Sequence, residues 1–278
     1  MARREVKGDD LLYRFFNEVL VSEPDLHRKI PRLLVMSMGV WFPVSVYVEM
    51  PILLPWVLRD PRCRGKRSNG LIVEKDQWGA PNVDGYLRDD NSLVKGLPKS
   101  LKISSQAYSF LNDKNLGNEF VASHIWRVNK SMVLASRLTL LNTFVPNLVW
   151  LPSQVSKLSD REESPVQTAL KEISWSIYRK VPLEGNAEVI AERSWSLLPE
   201  PENVSEIVDQ ELNWFVANKN FIYMRRSKLN TVVKTLENLN TGLEVSPLLR
   251  PSRYRDGLST VSVQARNDLI KELKMHQK

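Results

Sequence analysis

Apolar residues recur at helical spacing across DDLLYRFFNEVL, residues 9–20, with Asp9 and Asp10 at the amino end, and the pattern predicts a first helix there. A second, short helix is expected to begin near Glu23-Pro24-Asp25. The next block, LLVMSMGVWFPVSVYVEMPILLPWVL over residues 33–58, is apolar at most positions and long enough to cross a bilayer. Glu49 and the prolines at 43, 51 and 55 interrupt it, and a lipid-facing helix would have to accommodate a charge and several broken backbone hydrogen bonds. The β-branched pieces VSVYV and ILLPWVL are therefore expected as short buried strands or irregular core, and no membrane partner is expected.

Residues 59–70, RDPRCRGKRSNG, form a basic loop carrying Arg59, Arg62, Arg64, Lys66 and Arg67. Residues 78–103 are dense in Gly, Pro, Asn and Asp, which predicts turns rather than one long helix. A polar stretch over 104–119 leads into a strand over Phe120 to Trp126, then a loop with some helix, then a short strand in PNLVWLP. Residues 153–180 read as a short helix followed by a long amphipathic one, opened by Ser164-Pro165 and carrying Val166, Leu170, Ile173 and Ile177 on one face. From 181 the chain is linker-like in places. An acidic run over 200–211 precedes a helical pattern in LNWFVANKNFIYMRRSKLNTVVKTLENL, and a loop from Pro247 leads to a basic final helix. This mixture of short strands and helices predicts an α+β protein.

Hydrophobic residues make up 42% and charged residues 26% of the 278, a globular balance that argues against a mainly disordered chain. The formal net charge of +7 favours an anionic partner, nucleic acid or an anionic membrane surface. A single cysteine, Cys63, excludes a disulfide within the chain and a multi-cysteine zinc site. The start, MARREVKGDDLLYRFF, has no uninterrupted apolar segment behind its basic residues, so a cytoplasmic location is expected. Neither a G-x-x-x-x-G-K phosphate loop nor a G-x-S-x-G elbow occurs, which argues against a kinase, an ATPase or a serine hydrolase. The eight tryptophans are scattered, as core anchors are, rather than grouped as a stacking platform.

One of the three histidines, His124, sits in the strand-like stretch FVASHIWRVNK. Two readings stand side by side: a hydrogen-bonded core residue, or a base that activates water, since imidazole titrates near neutrality.

The succession SHIW, then Asn147 in PNLVWLP, then QVSKLSD resembles the HNH family of nucleases, over residues 120 to 161. The resemblance implies a ββα-metal core embedded in a larger mixed helix and strand domain. On that basis the chain divides into an N-terminal helical and strand region with basic, turn-rich loops (1–103), an HNH-like nuclease core (104–180) and a C-terminal helical region (181–278). It also implies hydrolysis of DNA phosphodiesters with His124 as general base, Asn147 as the brace of the loop between the strands, and Lys157 within the site. Asn147 follows His124 by 23 residues, so that loop is enlarged.

The family's metal ligands usually lie just before the histidine and on the helix, where this chain has Ser123 and Ser156. Serine is a poor ligand for a divalent ion. Mg²⁺ or another divalent cation is expected if a carboxylate supplies it, Asp160 first or one of Asp84, Asp89 and Asp90; otherwise the fold only binds DNA.

Candidate phosphate and base contacts are Arg64, Lys66 and Arg67 in the basic loop, Arg88, Asn91, Lys95 and Lys99 in GYLRDDNSLVKGLPKSLKI, and Arg127 and Lys130 after the histidine. The capped turn at Asp90-Asn91 is by itself sufficient reason for those two residues. A PD-(D/E)xK reading through Asp84 and Glu74 fails, because Glu74-Lys75-Asp76 breaks the tripeptide. The expected function is a DNA endonuclease, site-specific and of the restriction or defence type by analogy of size alone, with DNA and a second copy of the chain as partners. The alternative is a non-catalytic DNA-binding or assembly protein on a degenerate nuclease fold.

Overall fold

The structure, a computed structural model, describes residues 24–63, 67–68, 71–72, 77–204 and 212–277. The helix expected over 9–20 lies outside them. The fold is mixed α+β.

Its centre is a five-stranded sheet in the order β6 (Lys102–Ser105), β9 (Asn213–Val216), β1 (Val40–Trp41), β8 (Leu148–Pro152), β7 (Phe120–His124). β1 runs parallel to β9 and antiparallel to β8, while β6 pairs antiparallel with β9. β7 and β8 pair antiparallel from Phe120 opposite Pro152 to His124 opposite Leu148. Leu148 to Leu151 are all buried, as an unbroken apolar run in an inner strand requires. The outermost β6 alternates exposed and buried positions, with one face in water. A second, parallel pair joins β2 (Val57–Arg59) to β5 (Leu87–Asp89), and β3 (Arg67–Ser68) pairs with β4 (Leu71–Ile72).

The strands of the main sheet come from all three sequence regions. The boundaries expected near 103 and 180 thus fall within one sheet and one continuous apolar core. Trp41, Trp126, Trp150 and Trp195 are buried in that core. Phe42 meets Trp150 edge-on, ring centroids 5.3 Å apart, and Trp195 Nε1–H donates to Tyr47 Oη at 2.9 Å.

Helix α1 (Pro24–Met38) packs against a long helix, Pro165–Tyr178. In that long helix Ser164 Oγ accepts from Gln167 N–H, Pro165 fills the first turn, and Val166, Leu170, Ile173 and Ile177 are buried. Burying each of those four aliphatic side chains contributes about 1.5–3 kcal/mol.

Three expectations are corrected. VSVYV is not a strand: Val44–Glu49 is a short helix, α2, that follows Pro43 and buries Val46 and Tyr47. Tertiary contact there overrides the β preference of the valines. The linker-like stretch after 181 contains the helix Asn186–Ser196, which buries Ala187, Ile190, Ala191, Ser194 and Trp195 at helical spacing. The segment from Leu212 is only partly helical: β9 comes first, and Asn218 then caps the helix Lys219–Asn240 by accepting from Phe221 N–H at 2.9 Å. No described helix is long and apolar enough to cross a membrane.

Candidate active site

β7 ends at His124, and the chain does not return as β8 until Leu148. The closure of this long loop is held by Asn147, which is 0% exposed. Its Oδ1 accepts from Trp126 N–H at 2.7 Å, its Nδ2 donates to Leu141 O at 3.0 Å, and its backbone carbonyl accepts from Ile125 N–H at 3.0 Å. The residues just after His124 are thereby fixed against the start of β8.

The imidazole is half-buried, and its Nε2 lies 2.9 Å from the carbonyl oxygen of Asn142, the last residue of a short helix, Thr139–Asn142. A carbonyl can only accept, so the neutral ring carries its proton on Nε2 and keeps the lone pair on Nδ1. Asn142 is itself buried and tied down, its Nδ2 donating to Val57 O at 3.1 Å. Burial holds the His124 pKa below its ordinary value, and the bonds to Asn142 oppose this only in part. The ring is therefore neutral at pH 7.

The same shift has a consequence for stability. A histidine whose folded pKa lies below the unfolded value of about 6.5 takes up its proton more readily when unfolded. Stability is therefore lost as pH falls below that value. In urea unfolding at pH 5.5 and 7.5, the wild-type protein is expected to lose more stability on acidification than His124→Gln. Equal losses would contradict a buried, neutral ring.

His124 lines a cavity of about 460 Å³. Among the described residues the walls carry three guanidinium groups, Arg59 at the end of β2, Arg127 and Arg137, against one carboxylate, Asp160. Ser123, Ser156 and Ser159 add hydroxyls, and Asn91 an amide. Asn91 adopts a left-handed backbone (φ 83°), and its Nδ2 donates to Ala122 O at 3.4 Å. That acceptor fixes which end of the amide is nitrogen and leaves Oδ1 buried without a hydrogen-bond partner. With His124 neutral, the positive excess suits an anion such as a phosphodiester.

Of the residues singled out in the sequence, His124, Asn91, Arg127, Asp160, Ser123 and Ser156 come together around this cavity. Others do not. Lys157 is exposed on the helix Ser153–Ser159, outside the lining, and Lys130 is exposed beyond it. Lys95 and Lys99 line a separate hollow with Phe120 and Trp150.

Arg88 is turned inward. Its Nη2 donates to Pro81 O at 2.8 Å and its Nη1 lies 3.9 Å from Asp60, so it holds a turn together and is not free to read a base. Of the other carboxylates considered, Asp84 is exposed and Asp90 lies off the cavity. Asp89 is buried and occupied by Ser92 Oγ–H at 2.8 Å, Leu93 N–H at 3.0 Å and Trp78 Nε1–H at 3.1 Å. None of the three lines the cavity.

Arg64, Lys66 and Glu74-Lys75-Asp76 lie outside the described residues, and Arg67 is described only as backbone in β3. Sequence reading missed Arg137, Ser159 and Asn142, and left Arg59 as one member of a basic run.

The resemblance implies a divalent cation, so the donors matter. No group of three or more His, Cys, Asp or Glu capable of holding a metal occurs among the described residues. The hydroxyl of Ser156 is engaged, donating to Ser153 O at 3.0 Å. The lining also offers oxygen donors: the Asp160 carboxylate, the Asn91 Oδ1 and the Ser123 hydroxyl. Such a set suits a hard ion that keeps several of its waters, as Mg²⁺ does, and not zinc.

Comparison with protein-family models, with curated protein sequences and with solved structures gives no match.

Proposed function

We propose that this cavity binds a DNA phosphodiester and hydrolyses it, with His124 as general base, in a site-specific endonuclease of the restriction or defence type. The antiparallel pair β7–β8 and the helix Ser153–Ser159 directly after it are read as the ββα unit of an HNH-like core. The observation that carries the reading is the tautomer of His124. Its Nε2–H is committed to a backbone carbonyl, and the ring borders a cavity edged by three arginines.

In this reading Nδ1 takes the proton of the water that attacks phosphorus, and the ester oxygen leaves on the opposite side. Arg59, Arg127 and Arg137 bind the non-bridging oxygens, where negative charge grows as the bond forms. Asn147 fixes the loop that carries the ring, and Asn142 fixes the ring itself. A divalent cation, when held by Asp160 and Asn91, supplies further charge stabilisation at the phosphate.

The arginines yield a prediction independent of catalysis. Arg59→Gln, Arg127→Gln and Arg137→Gln should each weaken duplex binding regardless of sequence, and should each reduce the slope of log affinity against log salt by about 1. Fluorescence anisotropy of a labelled duplex over a NaCl series reads this, and slopes equal to the wild type would place the DNA elsewhere.

The serines at positions 123 and 156 favour a second reading, a DNA-binding protein without hydrolysis. Plasmid incubated with Mg²⁺ or Mn²⁺ separates the two: cleavage that disappears in His124→Ala supports the enzyme, and binding without cleavage in either protein supports the binder.

A further inference from the structure

A second cavity, of about 170 Å³, lies between the β2–β5 pair and the helix Lys219–Asn240. Its floor is apolar, built from Leu54, Trp56, Val57 and Leu87, all at most 5% exposed. Its rim is cationic: Arg225 and Lys228 project from one face of the helix, and Arg250 from the loop opposite. No Asp or Glu lines it among the described residues.

The Arg225 guanidinium lies over the Phe221 ring, 5.3 Å from its centroid, and its Nε is buried without a hydrogen-bond partner. Burial draws the Arg225 pKa down. Burial and then the neighbouring Arg225 charge draw down that of Lys228. Two partly desolvated cations side by side, one with an unused N–H, form an arrangement that an anion would relieve. The floor asks for something else. A cavity near 150 Å³ with apolar walls accepts benzene, so the space beneath the cations suits an apolar body of about six carbons.

We propose that this cavity binds a small organic carboxylate, its ring or short chain on the Leu54–Trp56–Leu87 floor and its carboxylate between Arg225 and Lys228. The site is separate from the His124 cavity and does not depend on the hydrolytic reading. Arginine and lysine together recognise a carboxylate by charge-assisted hydrogen bonds, while the apolar floor selects against acetate and inorganic anions.

Fluorine NMR titration of para-fluorobenzoate into the full chain tests this. The expected result is a saturable shift, with binding weakened about tenfold or more in Arg225→Met and in Lys228→Met. Para-fluorobenzyl alcohol, which keeps the ring and lacks the charge, should bind weaker by a similar factor. Lys130→Gln, which removes a positive charge from a residue outside the cavity lining, should bind as the wild type does. Lys228 is exposed, so its variant keeps the test meaningful if Arg225→Met fails to fold, and thermal melts check both. No saturation with the wild type, equal binding of the alcohol, or wild-type affinity in Lys228→Met would overturn the proposal.

Discussion

His124→Ala should lower the single-turnover rate of plasmid nicking by roughly 10²–10⁴-fold while leaving duplex binding close to that of the wild type. The ring takes a proton in the reaction proposed here and makes no phosphate contact of its own, so its loss should fall on the chemical step. Its hydrogen bond to the Asn142 carbonyl contributes only about 1 kcal/mol, so the variant should fold. His124→Gln should be equally slow, because an amide cannot accept the proton at neutral pH. Nicking by either variant within a few-fold of the wild type would show that the water is activated elsewhere.

The largest effect on stability is expected at Asn147. Its amide satisfies two buried backbone groups, Trp126 N–H and Leu141 O, at opposite ends of the loop between β7 and β8. Alanine leaves both without partners in a region sealed from water. Each such group costs about 1–3 kcal/mol, so Asn147→Ala should destabilise the protein by roughly 2–6 kcal/mol. Asn147→Asp keeps the acceptor for Trp126 but sets an oxygen against Leu141 O and buries a charge, and it should be at least as damaging. Urea unfolding, with the slope checked for constancy, measures both variants. A loss below about 0.5 kcal/mol in Asn147→Ala, within the range of ordinary surface substitutions, would mean that the loop closes without this tie.

Elements with a complete local signal were legible in the sequence. The helix Pro165–Tyr178 has its cap, its first-turn proline and its apolar face written in consecutive residues. The strand Leu148–Pro152 was legible as a short apolar run, and the helix Val263–Met275 as a final basic helix. The helix Val44–Glu49 was not legible, because its valines favour a strand and only packing around Val46 and Tyr47 decides otherwise. The helix Asn186–Ser196 carried its period in Ala187, Ile190, Ala191, Ser194 and Trp195, but Pro182 and Gly185 beside it drew attention to a linker.

The site divides in the same way. His124 and Asn147 could be picked out because a motif orders them along the chain. Arg59 and Asn142 could not, because tertiary closure brings Arg59 to the cavity and Asn142 to the ring: Asn142 is held by Val57, 85 residues away. Lys95 and Lys99 are placed away from this cavity, lining a different hollow beside Phe120. Arg88 is turned inward onto Asp60 and the Pro81 carbonyl, which no local sequence signal announces.

The reaction proposed here has a neutral imidazole beside an arginine-lined cavity activate water against a DNA phosphodiester. Its most direct test is the nicking rate of supercoiled plasmid by the full chain with Mg²⁺ or Mn²⁺, measured from pH 5 to pH 8. Because burial depresses the His124 pKa, the rate should climb from low pH and level off before the ordinary histidine value of about 6.5 is passed. Plasmid that stays supercoiled at every pH, while the same protein still shifts it in a gel, would contradict the claim and leave a DNA-binding protein in its place.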